Sequence, residues 1–92
     1  MSWRNYKDPD YKKWRSAVYR RDRYRCQWPG CCTHKTKVQA HHIRKWADFP
    51  SLRYALENGI TLCEFHHKLI KNQEDNYIVM FMQILLQKLK DR

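Results

Sequence analysis

Four cysteines and five histidines among 92 residues are the side chains best suited to chemistry beyond packing. Cys26-x4-Cys31 and Cys63-x2-His66 form two short-spaced pairs. The first pair sits in a Pro29-Gly30 turn, and the second straddles a strand end and the first turn of a helix. Two such pairs brought together make a closed tetrahedral Cys₃His site, the arrangement of structural zinc. Cys32 is the alternative to Cys31. The interval of four residues to Cys31 falls within ordinary ligand spacing and leaves Cys32 as a spare thiol. A chain this short has little core and gains folding free energy directly from a bound ion. Treating the cysteines as small buried hydrophobes does not account for the His66-His67 doublet beside them.

A second doublet, His41-His42, ends a strand-like stretch, so the two imidazoles point to opposite faces. If His66 closes the zinc site, His67 lies about 100° further round the same helix and can face that strand. Three imidazoles then converge. Two can hold a divalent ion with positions left open for water and phosphate oxygens. The third, neutral near pH 7, can take a proton from the attacking water. That chemistry is metal-assisted phosphodiester hydrolysis. A polar surface strand with idle histidines is the alternative, and the Cys63/His66/His67 run weighs against it.

The elements that must position these groups can be read from periodicity and punctuation. Asp8 and Pro9 suit the N-cap and first position of a helix. Tyr11, Trp14, Ala17 and Val18 recur at helical spacing to about Arg21–Asp22. Lys12, Lys13, Arg15, Arg20 and Arg21 cover its other faces, either for phosphates or for solvent. Residues 33–37 form a polar loop, and Lys37–Ile43 form a strand. A short helix falls around Ser51–Glu57, Asn58-Gly59 makes a tight turn, and Ile60–Leu62 form a second strand. A helix over Cys63–Asn72 offers Leu69 and Ile70 to the core. The last helix, about 74–90, is broadly apolar, with Ile78, Phe81, Met82, Leu85 and Leu89 on one stripe. It packs on the core or forms a weak homodimer interface; the expected state is a monomer or weak homodimer. The fold class expected is α+β: one domain over 1–92, with a core of about 23–72, an N-terminal helix of about 9–22 and the C-terminal helix of about 74–90.

The net charge of +10 points to a polyanionic partner, with nucleic acid as the default. The basic residues are scattered rather than gathered on one amphipathic helix, which argues against a membrane surface. The apolar stretch at Tyr77–Leu86 is broken by Gln83 and is too short to span a bilayer. The N-terminus has no apolar signal segment, so a reducing cytoplasm is expected, where cysteines serve as metal ligands rather than disulfides.

With these residues in view, the chain resembles the HNH endonucleases, the ββα-metal or His-Me finger family, and most of all their small phage- and intron-associated members. The resemblance rests on YKKWRSAVYRRDRYRCQWPGC (11–31), VQAHHI (38–43) and NGITLCEFHHKLIK (58–71). It implies that His42 is the general base, that His41 and His67 hold the catalytic metal, and that Asn58 orients the loop bearing the base. Cys26, Cys31, Cys63 and His66 match the structural zinc ligands. His66 departs from the usual second Cys-x2-Cys pair, and Lys71 stands where some relatives carry a further metal-binding histidine. The family implies DNA cleavage to 5′-phosphate and 3′-hydroxyl ends, with Mg²⁺ or Mn²⁺ as metal. Two imidazole ligands would equally accept Ni²⁺, Co²⁺ or Zn²⁺. One active site nicks one strand. Arg44, Lys45, Lys68 and Lys71 are the candidate phosphate contacts. The setting implied is phage DNA processing in the bacterial cytoplasm, alongside packaging machinery. The rival function is a zinc-stapled DNA-binding module without catalysis, with a zinc-dependent protein-interaction module third.

Overall fold

The computed structural model describes residues 5–31 and 37–91. Helix α1 spans Pro9–Arg21. Its N-cap is Asp8, whose side chain accepts from the Asp10 amide at 2.8 Å. Strand β1 is Val38–His42 and strand β2 is Gly59–Cys63. They pair antiparallel, with His41 opposite Ile60 and His42 opposite Gly59. Helix α2, Glu64–Leu69, follows β2 directly, and helix α3 spans Ile78–Lys90. The result is the expected α+β arrangement, a two-stranded sheet with flanking helices. Among the described residues no helix is long and apolar enough to cross a membrane.

A lone hairpin is marginal in water, and this one is covered on both faces. Strand alternation sends Ala40, His42 and Gly59 toward α1, where Tyr11, Trp14, Val18 and Trp46 form one cluster. It sends Ile60 and Leu62 into a second cluster with Ile43, Ile70 and Phe81, under α3. The outer edge of β2 is also closed. Gln27 donates its amide to Thr61 O at 2.9 Å. The fully buried Asp22 carboxylate accepts from the Thr61 amide at 2.9 Å and pairs with Arg21. Arg21 also donates to the carbonyls of Leu56 and Gly59. The end of α1 is thus fastened to β2 by a buried charge whose hydrogen bonds are satisfied.

Several expectations need correction. Asn58-Gly59 is not a tight turn. Asn58 closes a 3-10 turn, Leu56–Asn58, and Gly59 is extended at φ −121. Glycine is required there for space: an added Cβ would run into Val18 Cγ2 and lie 2.7 Å from Trp14 Cζ2. The helix expected around 51–57 is two separate 3-10 turns, Pro50–Leu52 and Leu56–Asn58, and the carbonyls between them are spent on tertiary partners: Arg53 O lies 2.9 Å from His42 Nε2 and Ala55 O accepts from Trp14 Nε1 at 2.9 Å. Helix α2 stops at Leu69, since the chain turns back at Asn72 with φ 68. Ile70 enters the core, while Leu69 stays 48% exposed. The C-terminal helix opens with a 3-10 turn over Glu74–Tyr77. Its packed face is Ile78, Phe81, Ile84 and Leu85. Met82 and Leu89, expected on that stripe, are exposed along with Val79 and Leu86. Cys32 and residues 33–36, the expected polar loop, lie outside the described residues.

Candidate functional site

Cys26, Cys31, Cys63 and His66 converge from two places in the chain, with their ligand atoms all within 4.8 Å of one another. A tetrahedron with metal–sulfur bonds of about 2.3 Å has edges of about 3.8 Å. The observed edges bracket that value. Cys31 Sγ lies 4.0 Å from Cys63 Sγ, and His66 Nδ1 lies 3.6 Å from Cys26 Sγ and 3.2 Å from Cys63 Sγ. The donor set therefore fits a tetrahedral metal such as zinc. Local structure explains the convergence. Gly30, at φ 77, turns the chain so that the Cys31 amide reaches Trp28 O at 3.0 Å. Cys63 caps α2, its sulfur accepting from the His66 amide. Trp28 stacks on the His66 ring at 4.6 Å and fixes its plane. Burial pushes the Cys26 thiol up to about 11. The ring by itself thus favours a protonated sulfur, and a bound cation reverses that preference.

On the other side of α2, His41, His42 and His67 line one open cavity of about 410 Å³. His41 faces α2 and α3, with its ring centroid 5.5 Å from His67 and 5.6 Å from Phe81. His42 faces α1 and stacks on Trp14, with centroids 3.9 Å apart and planes 13° apart. Its Nε2 lies 2.9 Å from the Arg53 carbonyl. A carbonyl only accepts, so Nε2 carries the proton, and Nδ1 of a neutral ring is the basic nitrogen.

Asn58 is buried and lies at the root of this geometry. Its Oδ1 accepts from the Arg44 amide at 2.9 Å, and its Nδ2 donates to the carbonyls of Arg44 and Leu52, both at 3.2 Å. It clamps the segment leaving β1 to the loop that carries Arg53. The four basic candidates separate. Lys45 lines the cavity and sits 3.6 Å from Asp75. The Arg44 guanidinium lies over the Phe49 ring. Lys68 pairs with Glu64 at 3.0 Å, which holds that carboxyl below its ordinary range. Lys71 is exposed.

Two participants were not singled out from the sequence. Trp14 stood on the apolar stripe of α1, and nothing in its spacing distinguished a stacking partner of His42 from a core residue. Glu74 lines the cavity and gave no signal in a stretch of polar residues.

The chain matches no protein-family profile, no curated protein and no solved structure. Its function has to be argued from its own geometry.

Proposed function

We propose that this chain is an HNH-type, metal-dependent DNA endonuclease that hydrolyses phosphodiester bonds and nicks one strand per encounter. The observation that carries the proposal is the meeting of His41, His42 and His67 around one open cavity in a chain of charge +10. His42 is the general base. Its Nε2 is committed to the Arg53 carbonyl, so Nδ1 takes the proton of the water that attacks phosphorus. The phosphorus–O3′ bond breaks as the new oxygen–phosphorus bond forms, giving 5′-phosphate and 3′-hydroxyl ends. Trp14 restrains the ring by stacking, and Asn58 positions it through Arg44 and the 44–58 loop.

His41 and His67 would hold the catalytic ion, Mg²⁺ or Mn²⁺. Such an ion, when bound, would neutralise charge developing on the phosphate and the leaving oxygen. Cys26, Cys31, Cys63 and His66 would hold structural zinc. Lys71 stands on open surface, available to neighbouring phosphates, and at the cavity a phosphate would compete with Asp75 for the Lys45 ammonium.

Nicking of supercoiled plasmid by zinc-loaded protein with Mg²⁺ or Mn²⁺ tests this, on wild type and His42→Ala. Loss of the base should slow cleavage by about 10²–10⁴-fold and leave DNA retention in a low-salt gel shift unchanged. The proposal fails if wild type cuts under none of Mg²⁺, Mn²⁺, Ni²⁺, Co²⁺ or Zn²⁺, or if His42→Ala cuts equally well. DNA binding without cleavage would leave the zinc-stapled binding module standing.

A further inference from the structure

The imidazole cavity has one acidic residue among its described lining residues, Glu74. The backbone brings it there. After α2 the chain enters the left-handed region at Asn72, and the Gln73 amide donates to Ile70 O at 2.8 Å. The next residue opens the 3-10 turn Glu74–Tyr77, back beside the cavity. Among the described residues the Glu74 carboxylate takes part in no ion pair or side-chain hydrogen bond. Lys45 lines the same cavity, yet its ammonium lies by Asp75. A chain with nineteen basic and nine acidic residues has therefore left a carboxylate unpaired where a phosphate would have to approach. Such a group repels the phosphate unless a cation stands between them.

Two neutral imidazoles favour the later transition metals, whereas Mg²⁺ and Mn²⁺ favour oxygen and anionic donors. We propose that Glu74 is the carboxylate ligand of the ion held by His41 and His67, and that it adapts this cavity to Mg²⁺ or Mn²⁺. This rests on the nuclease proposal for the identity of the cavity. Among the described residues, only the Cys₃His set already has its ligand atoms drawn together. The Glu74 side chain, with its three rotatable bonds, closes on the ion as the ion binds.

The test measures metal binding without DNA. Mn²⁺ is titrated into zinc-loaded protein, and free Mn²⁺ is followed by electron paramagnetic resonance. Wild type should bind one Mn²⁺, and Glu74→Gln should bind it at least about tenfold more weakly. Ni²⁺ affinity, carried by the two imidazoles, should change by less than about threefold. Far-UV circular dichroism checks that the variant is folded. Equal Mn²⁺ affinity in Glu74→Gln overturns the assignment, as does a wild type that binds Mn²⁺ no better than His41→Ala. Plasmid nicking is scored separately. Weakened Mn²⁺ binding in a protein whose wild type never nicks leaves Glu74 as ligand and removes the nuclease proposal. Nicking by wild type with unchanged Mn²⁺ affinity in Glu74→Gln does the reverse.

Discussion

Replacing Asn58 with alanine should damage the fold and, on the nuclease proposal, the rate of cleavage, in amounts the structure lets us work out. The side chain makes three hydrogen bonds: one accepted from the Arg44 amide and two donated, to the Arg44 and Leu52 carbonyls. Each contributes about 1 kcal/mol net. Their sum of about 3 kcal/mol falls toward 2 because Arg44 and Leu52 are only half-buried, so water can replace part of what is lost. For a urea slope of about 1.5 kcal/mol/M, the unfolding midpoint should drop by somewhat more than 1 M. The effect on rate should appear even where the variant is fully folded. Asn58 does not line the imidazole cavity, so DNA affinity should hold. The loop carrying Arg53 O, the acceptor for His42 Nε2, loses its clamp, and turnover should fall by about tenfold or more. Urea titration of zinc-loaded protein and single-turnover nicking check the two arms. A midpoint unchanged within about 0.3 M would refute the clamp. A normal rate in folded Asn58→Ala would refute its link to His42.

Other outcomes follow from separate parts of the molecule. Stripping metal with a strong chelator, or making His66→Ala, should lower the thermal unfolding midpoint, because a metal held by the Cys₃His cluster would tie the 26–31 turn to α2; a metal-free protein that melts like the metal-loaded one would contradict this. Acid should loosen the metal, since its thiolates must be deprotonated to bind, so zinc release should increase as pH falls. Gly59→Ala should cost about 1–3 kcal/mol by overpacking against Trp14 and Val18, measured by thermal unfolding, although its backbone angles suit alanine. Asp22→Ala should cost about 3 kcal/mol or more, because it strips the partner from Arg21 and from the Thr61 amide at a fully buried position; a loss below 1 kcal/mol in chemical denaturation would show that the edge of β2 is held otherwise.

Much of this fold could be read in the sequence wherever a local rule and the tertiary contacts agree. Asp8-Pro9 and the Tyr11/Trp14/Val18 spacing located α1 to within a residue, because its buried stripe is also its periodic one. The Cys-x4-Cys and Cys-x2-His pairs announced the ligand set, because metal spacing is a short-range constraint. The misread features are those decided by distant neighbours. Gly59 looked like turn chemistry, but its reason is two side chains some forty residues earlier. The end of α1 carries no glycine, yet Arg23 and Tyr24 both adopt left-handed angles, at φ 55 and 59, to swing the chain toward Cys26. In α3, apolar residues cover so much of the helix that periodicity could not choose a face. The choice is made by the position of Ile43, Ile60, Leu62 and Ile70.

The two histidine doublets split in direction for different geometric reasons, and this makes one depend on the other. In β1 the alternation of the strand separates His41 from His42, and the sheet itself holds both. In α2 the turn of the helix separates His66 from His67. That helix has six residues, far too few to persist alone. Its ends are held by Cys63 and His66 in the Cys₃His ring and by Ile70 in the core. The position of His67 is therefore inherited from the Cys₃His cluster, while that of His42 is inherited from Trp14, Asn58 and the Arg53 carbonyl. Stripping a metal held by the Cys₃His cluster should remove His67 from the cavity before it disturbs His42. The imidazole NMR signals of His67 should then broaden at a chelator concentration that leaves those of His42 sharp. Simultaneous loss of both would mean that the ring supports the whole sheet rather than α2 alone.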